Sequence, residues 1–308
     1  MAAVTAAMVK ELREMTGAGM MDCKKALANT DGDMDKAVEY LRENGMAKAA
    51  KKAGRIAAEG IVKTVVEGTK AAIVEVNSET DFVAKNADFN AYVEDVAAQA
   101  LTTKAADIDA FLAESWNKDS SKTVADALAG QIAVIGENLK IRRFAQLEEA
   151  NGFIASYIHM GGKIGVLVDV ETDVVNPAIE EMARNVAMQA AALKPMYTNR
   201  DEVDADYIAK ETEIITAAAK TKESAKPEKV IEGMINGRVN KELKEICLLD
   251  QVYVKAEDGK QSVKAYVDSV AKAAGANITI KGFVRFETGE GLEKKNEDFA
   301  AEVAAQLK

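Results

Sequence analysis

Between residues 4 and 45 the apolar positions recur at helical spacing in three short segments, broken at residues 16–19 and 29–32. The pattern predicts a compact three-helix unit. Its third helix would be capped by Asp31 or Asp33, bury Met34, Ala37, Val38 and Leu41, and end at Gly45. Residues 46–59, rich in Ala and Lys, read as an exposed connecting helix. Lys48, Lys51, Lys52 and Arg55 then form a solvated face in preference to a nucleic-acid patch.

Beyond residue 60 the period shortens and the chain repeats itself. "GIVKTVVEGTKAAIVEVNSETDFV" and "GFIASYIHMGGKIGVLVDVETDVV" share one plan of strand, tight turn, strand and Glu-Thr-Asp. This places Glu79, Thr80 and Asp81 on Glu171, Thr172 and Asp173. A helix follows in each copy, ending near "AAQA" (97–100) and "AMQA" (187–190). Residues 123–148 align without gaps on 262–287, keeping Val124/Val263, Gly136/Gly275, Asn138/Asn277, Ile141/Ile280, Phe144/Phe283 and Glu148/Glu287. Each copy reads as a β-hairpin, helices and a third strand, which gives an α+β fold of two small antiparallel sheets backed by helices.

The second copy carries an insertion of two helical runs separated by a polar turn and Pro227, the expected form of an antiparallel helical hairpin. Ile231, Ile235, Val239, Leu243 and Ile246 make a stripe facing the partner helix. The final "NEDFAAEVAAQLK" predicts a short amphipathic helix. The expected units are 1–55, a three-helix module with linker; 56–150, the first core copy; 151–195 with 259–290, the second; 196–258, the hairpin; and 291–308, the C-terminal helical module.

Composition narrows the function. With 308 residues and 48% hydrophobic content the chain can bury sizeable cores. Neither an 18-residue apolar run nor a secretory or transit signature is present, so a cytoplasmic protein without membrane association is expected. Cys23 and Cys247 read as reduced thiols, Cys23 as a small buried hydrophobe among Met20, Met21 and Leu27. A single histidine leaves little scope for a metal site or a His-based triad. The net charge of −10 and pI near 5.0 argue against phosphate-backbone binding as the main activity.

Enzyme signatures are missing. "MGGKIG" has Ile164 where a phosphate loop requires Ser or Thr, and reads as a hairpin turn. The chain holds no Gly-x-Ser-x-Gly, Cys-x-x-Cys or dinucleotide fingerprint, so neither a catalytic group nor a cofactor is assigned. His159 reads as an ordinary surface or half-buried histidine, with a protein contact as the second reading.

The elbow "VEVNSETDFVAKN" (74–86) is the segment that invites a role. Asp81 suits the N-cap of the following helix. Phe82 is matched by Val174, so the turn itself does not demand an aromatic. Periodicity alone favours a core filler, yet Phe89 and Tyr92 already supply rings to the next helix. The other reading is an exposed wedge beside a carboxylate, made to enter a partner.

"LREMTGAGMMDCKKAL" (12–27) and "EVNSETDFVAK" (75–85) resemble the two signature segments of the bacterial elongation factor Ts family, and "IGENLKIRR" (135–143) is similar to a third. The resemblance extends over essentially the whole chain. It implies guanine-nucleotide exchange on elongation factor Tu without chemistry of its own. The implied intruding turn is Thr80, Asp81, Phe82 and Val83, acting near the nucleotide's magnesium. The N-terminal module and C-terminal helix are implied to grip the GTPase's G domain, the second core copy its third domain, and the hairpin to serve self-association in some members. Lys24, Lys25, Arg142, Arg143 and His159 are further candidate partner contacts. The N-terminal module with its "TGAG" loop is also similar to ubiquitin-associated domains, and the alternative function is a protein-binding adaptor without exchange activity.

Overall fold

The computed structural model describes residues 4–222 and 228–293; the expected C-terminal helix and the turn holding Pro227 lie outside the described residues. Helices α1 (Ala6–Thr16), α2 (Met20–Asn29) and α3 (Met34–Lys52) enclose Val9, Leu12, Cys23, Ala26, Leu27 and Ala37. Thr5 caps α1 by accepting the Met8 N–H, and Asp33 caps α3 by accepting that of Lys36. Gly45 does not end α3. It is buried inside the helix, where an added Cβ would lie 3.6 Å from the Ala129 carbonyl and 3.7 Å from the Ala133 Cβ. These are ordinary contact distances, so the position lies against the helix carrying Ala129 and Ala133 without the packing requiring a glycine, and the first half of the expected connector is the last part of α3.

The first core copy runs β1 (Glu59–Glu67), β2 (Lys70–Ser78), α4 (Asp81–Ala84), α5 (Ala87–Thr102), α6 (Ile108–Ala113), a small hairpin of β3 (Ser115–Trp116) and β4 (Asp119–Thr123), α7 (Val124–Ile135) and β5 (Lys140–Glu148). The second runs β6 (Gly152–His159), β7 (Ile164–Thr172), α8 (Pro177–Leu193), α9 (Ala205–Lys222), α10 (Glu228–Ile246), α11 (Val263–Ala274) and β8 (Ile278–Glu287). The sheets are antiparallel with orders β1-β2-β5 and β6-β7-β8, so the fold is α+β. On α10, Ile231, Ile235, Val239 and Leu243 are half-buried; Leu243 and Ile246 pack at the hairpin's base with Val203, Tyr207 and Ile208.

The two sheets face each other through Val62, Ala71, Ile73, Ile154, Leu167 and Phe286, and helices cover both outer faces. β2 is therefore buried on both sides. Its even positions Ala72, Val74 and Val76 meet the helices, while Ala71 and Ile73 meet the other sheet. Closeness between the sheets depends on small residues. A Cβ on Gly165 would lie 2.5 Å from Val62 Cγ1, and one on Gly162 2.9 Å from Ile61 Cβ. Gly162 also accepts the Val62 N–H through its carbonyl at 2.7 Å, docking the second copy's turn onto β1.

Glu75 places a carboxylate in this interior, fully buried. A β-bulge brings it two partners: Glu75 pairs with Arg143 and Val76 with Ile141, leaving Arg142 as the extra residue. Arg142 Nη1 donates at 3.0 Å and Arg143 Nε at 2.6 Å, and Asn77 Nδ2 and the Gly289 N–H donate at 3.0 and 2.8 Å. Arg143 lies 4.2 Å over the Phe286 ring and donates to the Glu287 carbonyl; Arg142 donates to that of Glu290. The cluster ties the first sheet to the end of β8.

Strand register corrects the sequence match between the copies. Gly60 lies opposite Asn77 and Gly152 opposite Glu171, and the bulges fall at Glu75/Val76 and Asp169/Val170. Structurally, Asn77 corresponds to Glu171 and Glu79 to Asp173, two residues away from the Glu-Thr-Asp match. The physical cause is turn length. The first hairpin turns at residues 68–69, the second at 160–163, where Met160, Gly161 and Gly162 all have positive φ.

Two predictions follow from the sheet interface. Gly165→Ala should destabilise the fold by about 1–3 kcal/mol through overpacking against Val62, read as a lower denaturation midpoint. Glu75→Ala leaves two arginines facing the interior without their carboxylate and should cost about 3 kcal/mol in the same assay; a stability equal to the parent would contradict the clasp.

Candidate functional site

The elbow after β2 is built from reciprocal carboxylate contacts. Glu79 reaches across to the loop after α7, where its Oε1 accepts the Asn138 N–H at 2.5 Å and Arg55 Nη1 at 3.4 Å. Glu137 reaches back from that loop. It accepts the N–H groups of Glu79 and Thr80, both at 3.1 Å, and the Thr80 hydroxyl at 2.7 Å. Ser78 Oγ donates to the Thr80 carbonyl at 2.9 Å. The loop is itself held from α3, since Lys52 Nζ donates to the Gly136 carbonyl and Asn138 Nδ2 to that of Arg55 at 2.8 Å.

Thr80, not Asp81, is the N-cap of α4, its hydroxyl accepting the Val83 N–H at 3.4 Å. The helix that follows is capped separately by Asn86, which accepts the N–H groups of Asp88 and Phe89. The capping expectation for Asp81 is therefore corrected: a side chain at the first helical position points out of the turn. Its carboxylate accepts Lys85 Nζ at 2.6 Å, and this contact holds it below the usual carboxylate range. Lys163, from the second copy's hairpin turn, lowers it further.

Val83 and Ala84 anchor α4 against the first core beside Ile61, with Ala84 buried. Phe82 points the other way and is 80% exposed. The core-filler reading is excluded, because Phe89, Tyr92, Phe111 and Trp116 already occupy that core. Thr80 and Val83 thus hold the turn while Asp81 and Phe82 form its outward tip.

The second copy performs the same latch more simply. Asp173 accepts the Asn277 N–H at 2.9 Å and Asn277 Nδ2 at 2.8 Å, contacts that keep its carboxyl below the ordinary range. It does the work of Glu79, and Asn176 caps α8 three residues later. In the first copy Asn86 follows Glu79 by seven residues, so the α4 tip occupies four additional residues (7 − 3). The sequence match hid this insertion by offsetting it against the longer second turn.

The other candidates scatter. Arg142 and Arg143 are half-buried and turn inward to Glu75. His159 is exposed at the end of β6, with Nδ1 2.8 Å from Tyr157 Oη, beside Met160 at 72% exposure. Lys24 and Lys25 are exposed on α2. Cys23 and Cys247 are free and buried, and burial raises both thiol pKa values. Among the described residues no His, Cys, Asp and Glu cluster could hold a metal ion, and no helix is long and apolar enough to cross a membrane.

Glu137 and Asn138 were missed as site residues, because their partners lie nearly 60 positions away. The available signal was Asn138 recurring as Asn277 while Glu137 faced Ala276.

A family model described as "Elongation factor TS" matches residues 79–290. The chain is 54% identical over 310 residues to the elongation factor Ts of Clostridioides difficile (strain 630), covering 100% of both chains. It is 52% identical to that of Clostridium botulinum (strain Eklund 17B / Type B), over 99% of each, and 50% identical to that of Trichlorobacter lovleyi, over 98% of each. Agreement across the entire length, the helical hairpin included, joins the tip, both sheets and the N-terminal helices in one inherited plan, and the chain belongs to the elongation factor Ts family.

Proposed function

We propose that this chain acts in translation elongation as a guanine-nucleotide exchange factor, releasing GDP from elongation factor Tu when residues 80–83 enter the GTPase's nucleotide site. The observation that carries the mechanism is an aromatic ring standing 80% exposed beside a carboxylate on a turn whose base is fastened by Glu79 and Glu137. Family membership over the full length supports the same reading and gives none to the adaptor alternative.

The physics is differential binding. GDP is held by a phosphate loop and Mg²⁺, so a factor that binds the nucleotide-free form better must lower nucleotide affinity by the same ratio. Asp81 brings negative charge toward a pocket organised around a cation and phosphates, which weakens the hold on both. Its present partner is Lys85, an exposed ion pair that water screens, so exchanging it for groups of the GTPase costs little. Phe82 supplies the apolar surface that favours the intruded state. Burying that ring contributes about 1.5–3 kcal/mol, roughly ten- to a hundredfold in an equilibrium.

No bond is made or broken, so the protein is not an enzyme in the chemical sense and needs no cofactor. It works in the cytoplasm on a protein partner, with neither nucleic acid nor membrane required. Exposed Met20 and Met21 on α2, and His159 and Met160 on the second copy's turn, are the surfaces by which the outer parts of the chain grip the GTPase. The α9–α10 hairpin is the candidate surface for pairing two copies.

Stopped-flow release of fluorescent GDP from elongation factor Tu tests the reading. Asp81→Ala combined with Phe82→Ala should lower the stimulated rate at least tenfold; an unchanged rate would contradict the assignment of the tip. Reciprocity makes a second forecast. Saturating GDP with Mg²⁺ should dissociate the factor from the GTPase in a pull-down, whereas an adaptor would bind equally with and without nucleotide.

A further inference from the structure

We infer that Glu137 is a positioning residue for nucleotide exchange, a carboxylate that never meets the GTPase yet sets the angle at which Asp81 and Phe82 enter it. The inference rests on the proposed role of the tip and adds a residue outside residues 80–83.

Three observations carry it. The first is geometric. Glu137 accepts three hydrogen bonds from two consecutive residues at the base of the tip, the Glu79 and Thr80 N–H groups and the Thr80 hydroxyl, at 2.7–3.1 Å. Charged acceptors make the stronger class of hydrogen bond, and two adjacent donors on one carboxylate fix a backbone direction as well as a distance. Thr80 then caps α4, so the orientation of its hydroxyl passes directly to the first turn carrying Asp81 and Phe82.

The second is the internal control. In the corrected register the second copy keeps Gly275 and Asn277 at the positions of Gly136 and Asn138, and retains the latch through Asp173 to Asn277, but has Ala276 where the first copy has Glu137. The loop therefore folds without a glutamate at that position. The carboxylate accompanies the four-residue insertion that forms the tip.

The third is mechanical. Among the described residues Phe82 and Asp81 make no hydrogen bond to the body of the chain beyond their own turn; Val83 and Ala84 pack one side of α4, and Asn90 Nδ2 holds its far end by donating to the Ala84 carbonyl at 2.9 Å. At the end of α4 that leads into the tip, thrust against a partner is borne by the polar contacts of residues 79 and 80. Glu137 sits on a loop braced by Lys52 and by the Arg55 carbonyl, at the end of the N-terminal helices, so the brace continues into the part of the chain proposed to grip the same GTPase.

The test compares Glu137→Ala, Glu137→Gln and Phe82→Ala with the parent in fluorescent GDP release from elongation factor Tu over a range of factor concentrations. Glu137→Ala should lower the maximal stimulated rate about tenfold while leaving the half-saturating concentration within twofold. Glu137→Gln, which keeps an acceptor oxygen of the same reach, should recover part of the loss. In the free factor, amide hydrogen exchange at Glu79 and Thr80 should accelerate in Glu137→Ala, with exchange across β2 unchanged. That contrast separates lost positioning from unfolding. A full maximal rate in Glu137→Ala alongside a defective Phe82→Ala would overturn the role of Glu137 and leave the tip's role standing. Full rates in both would overturn the two together. Slow release with accelerated exchange throughout β2 would also overturn it, by making Glu137 a residue of the fold.

Discussion

A short turn can displace a tightly held ligand in another protein only if its own base does not yield. Here the base is a pair of crossed carboxylates: Glu79 reaches from the elbow to the loop after α7, and Glu137 reaches from that loop to the elbow. Between them they satisfy backbone donors that would otherwise face a half-buried gap, where an unpaired N–H costs about 1–3 kcal/mol. Opening the elbow would expose several such groups at once. The outward pose of Phe82 is thus maintained by polar contacts at its root, since the ring itself gains little from the chain that carries it.

Those contacts have meaning only on a rigid support, and the two-sheet core provides one. β2, whose end becomes the elbow, is covered on one face by helices and on the other by the second sheet. Glu75 lies near that end, and its bonds to Arg142, Arg143 and the Gly289 N–H bind β2 to β5 and to the turn after β8. A buried carboxylate with two arginines is a costly way to stabilise an interior. It does fix register, because only a bulged strand can present both guanidinium groups to one acid. The same core links the two halves that are proposed to hold separate parts of the GTPase.

Much of this architecture could be read from apolar periodicity: the change from helical to alternating spacing near residue 60, two hairpins with their following helices, and the α+β class. Other features could not, for identifiable reasons. Gly45 has the local form of a helix stop but lies inside α3, because packing against Ala129 and Ala133 outweighs its backbone freedom. The Glu-Thr-Asp repeat looked like an internal control and was out of register, since a turn longer by two residues and a tip longer by four shift the strands against the text. Periodicity favoured burying Phe82, because a ring beside Val83 and Ala84 resembles a core position; what excludes it is a core already filled by residues distant in sequence. The latch itself is a contact across nearly 60 positions and leaves no local mark.

The central claim is that the Phe82 ring passes from water into another protein when nucleotide leaves. Fluorine NMR of the factor labelled at its phenylalanines reads this directly, through the H₂O/D₂O solvent-isotope shift of the Phe82 resonance in the free factor and in its nucleotide-free complex with elongation factor Tu. The account predicts a large isotope shift in the free protein that collapses in the complex and returns when GDP and Mg²⁺ are added. A ring that stays equally solvated in all three states would contradict it.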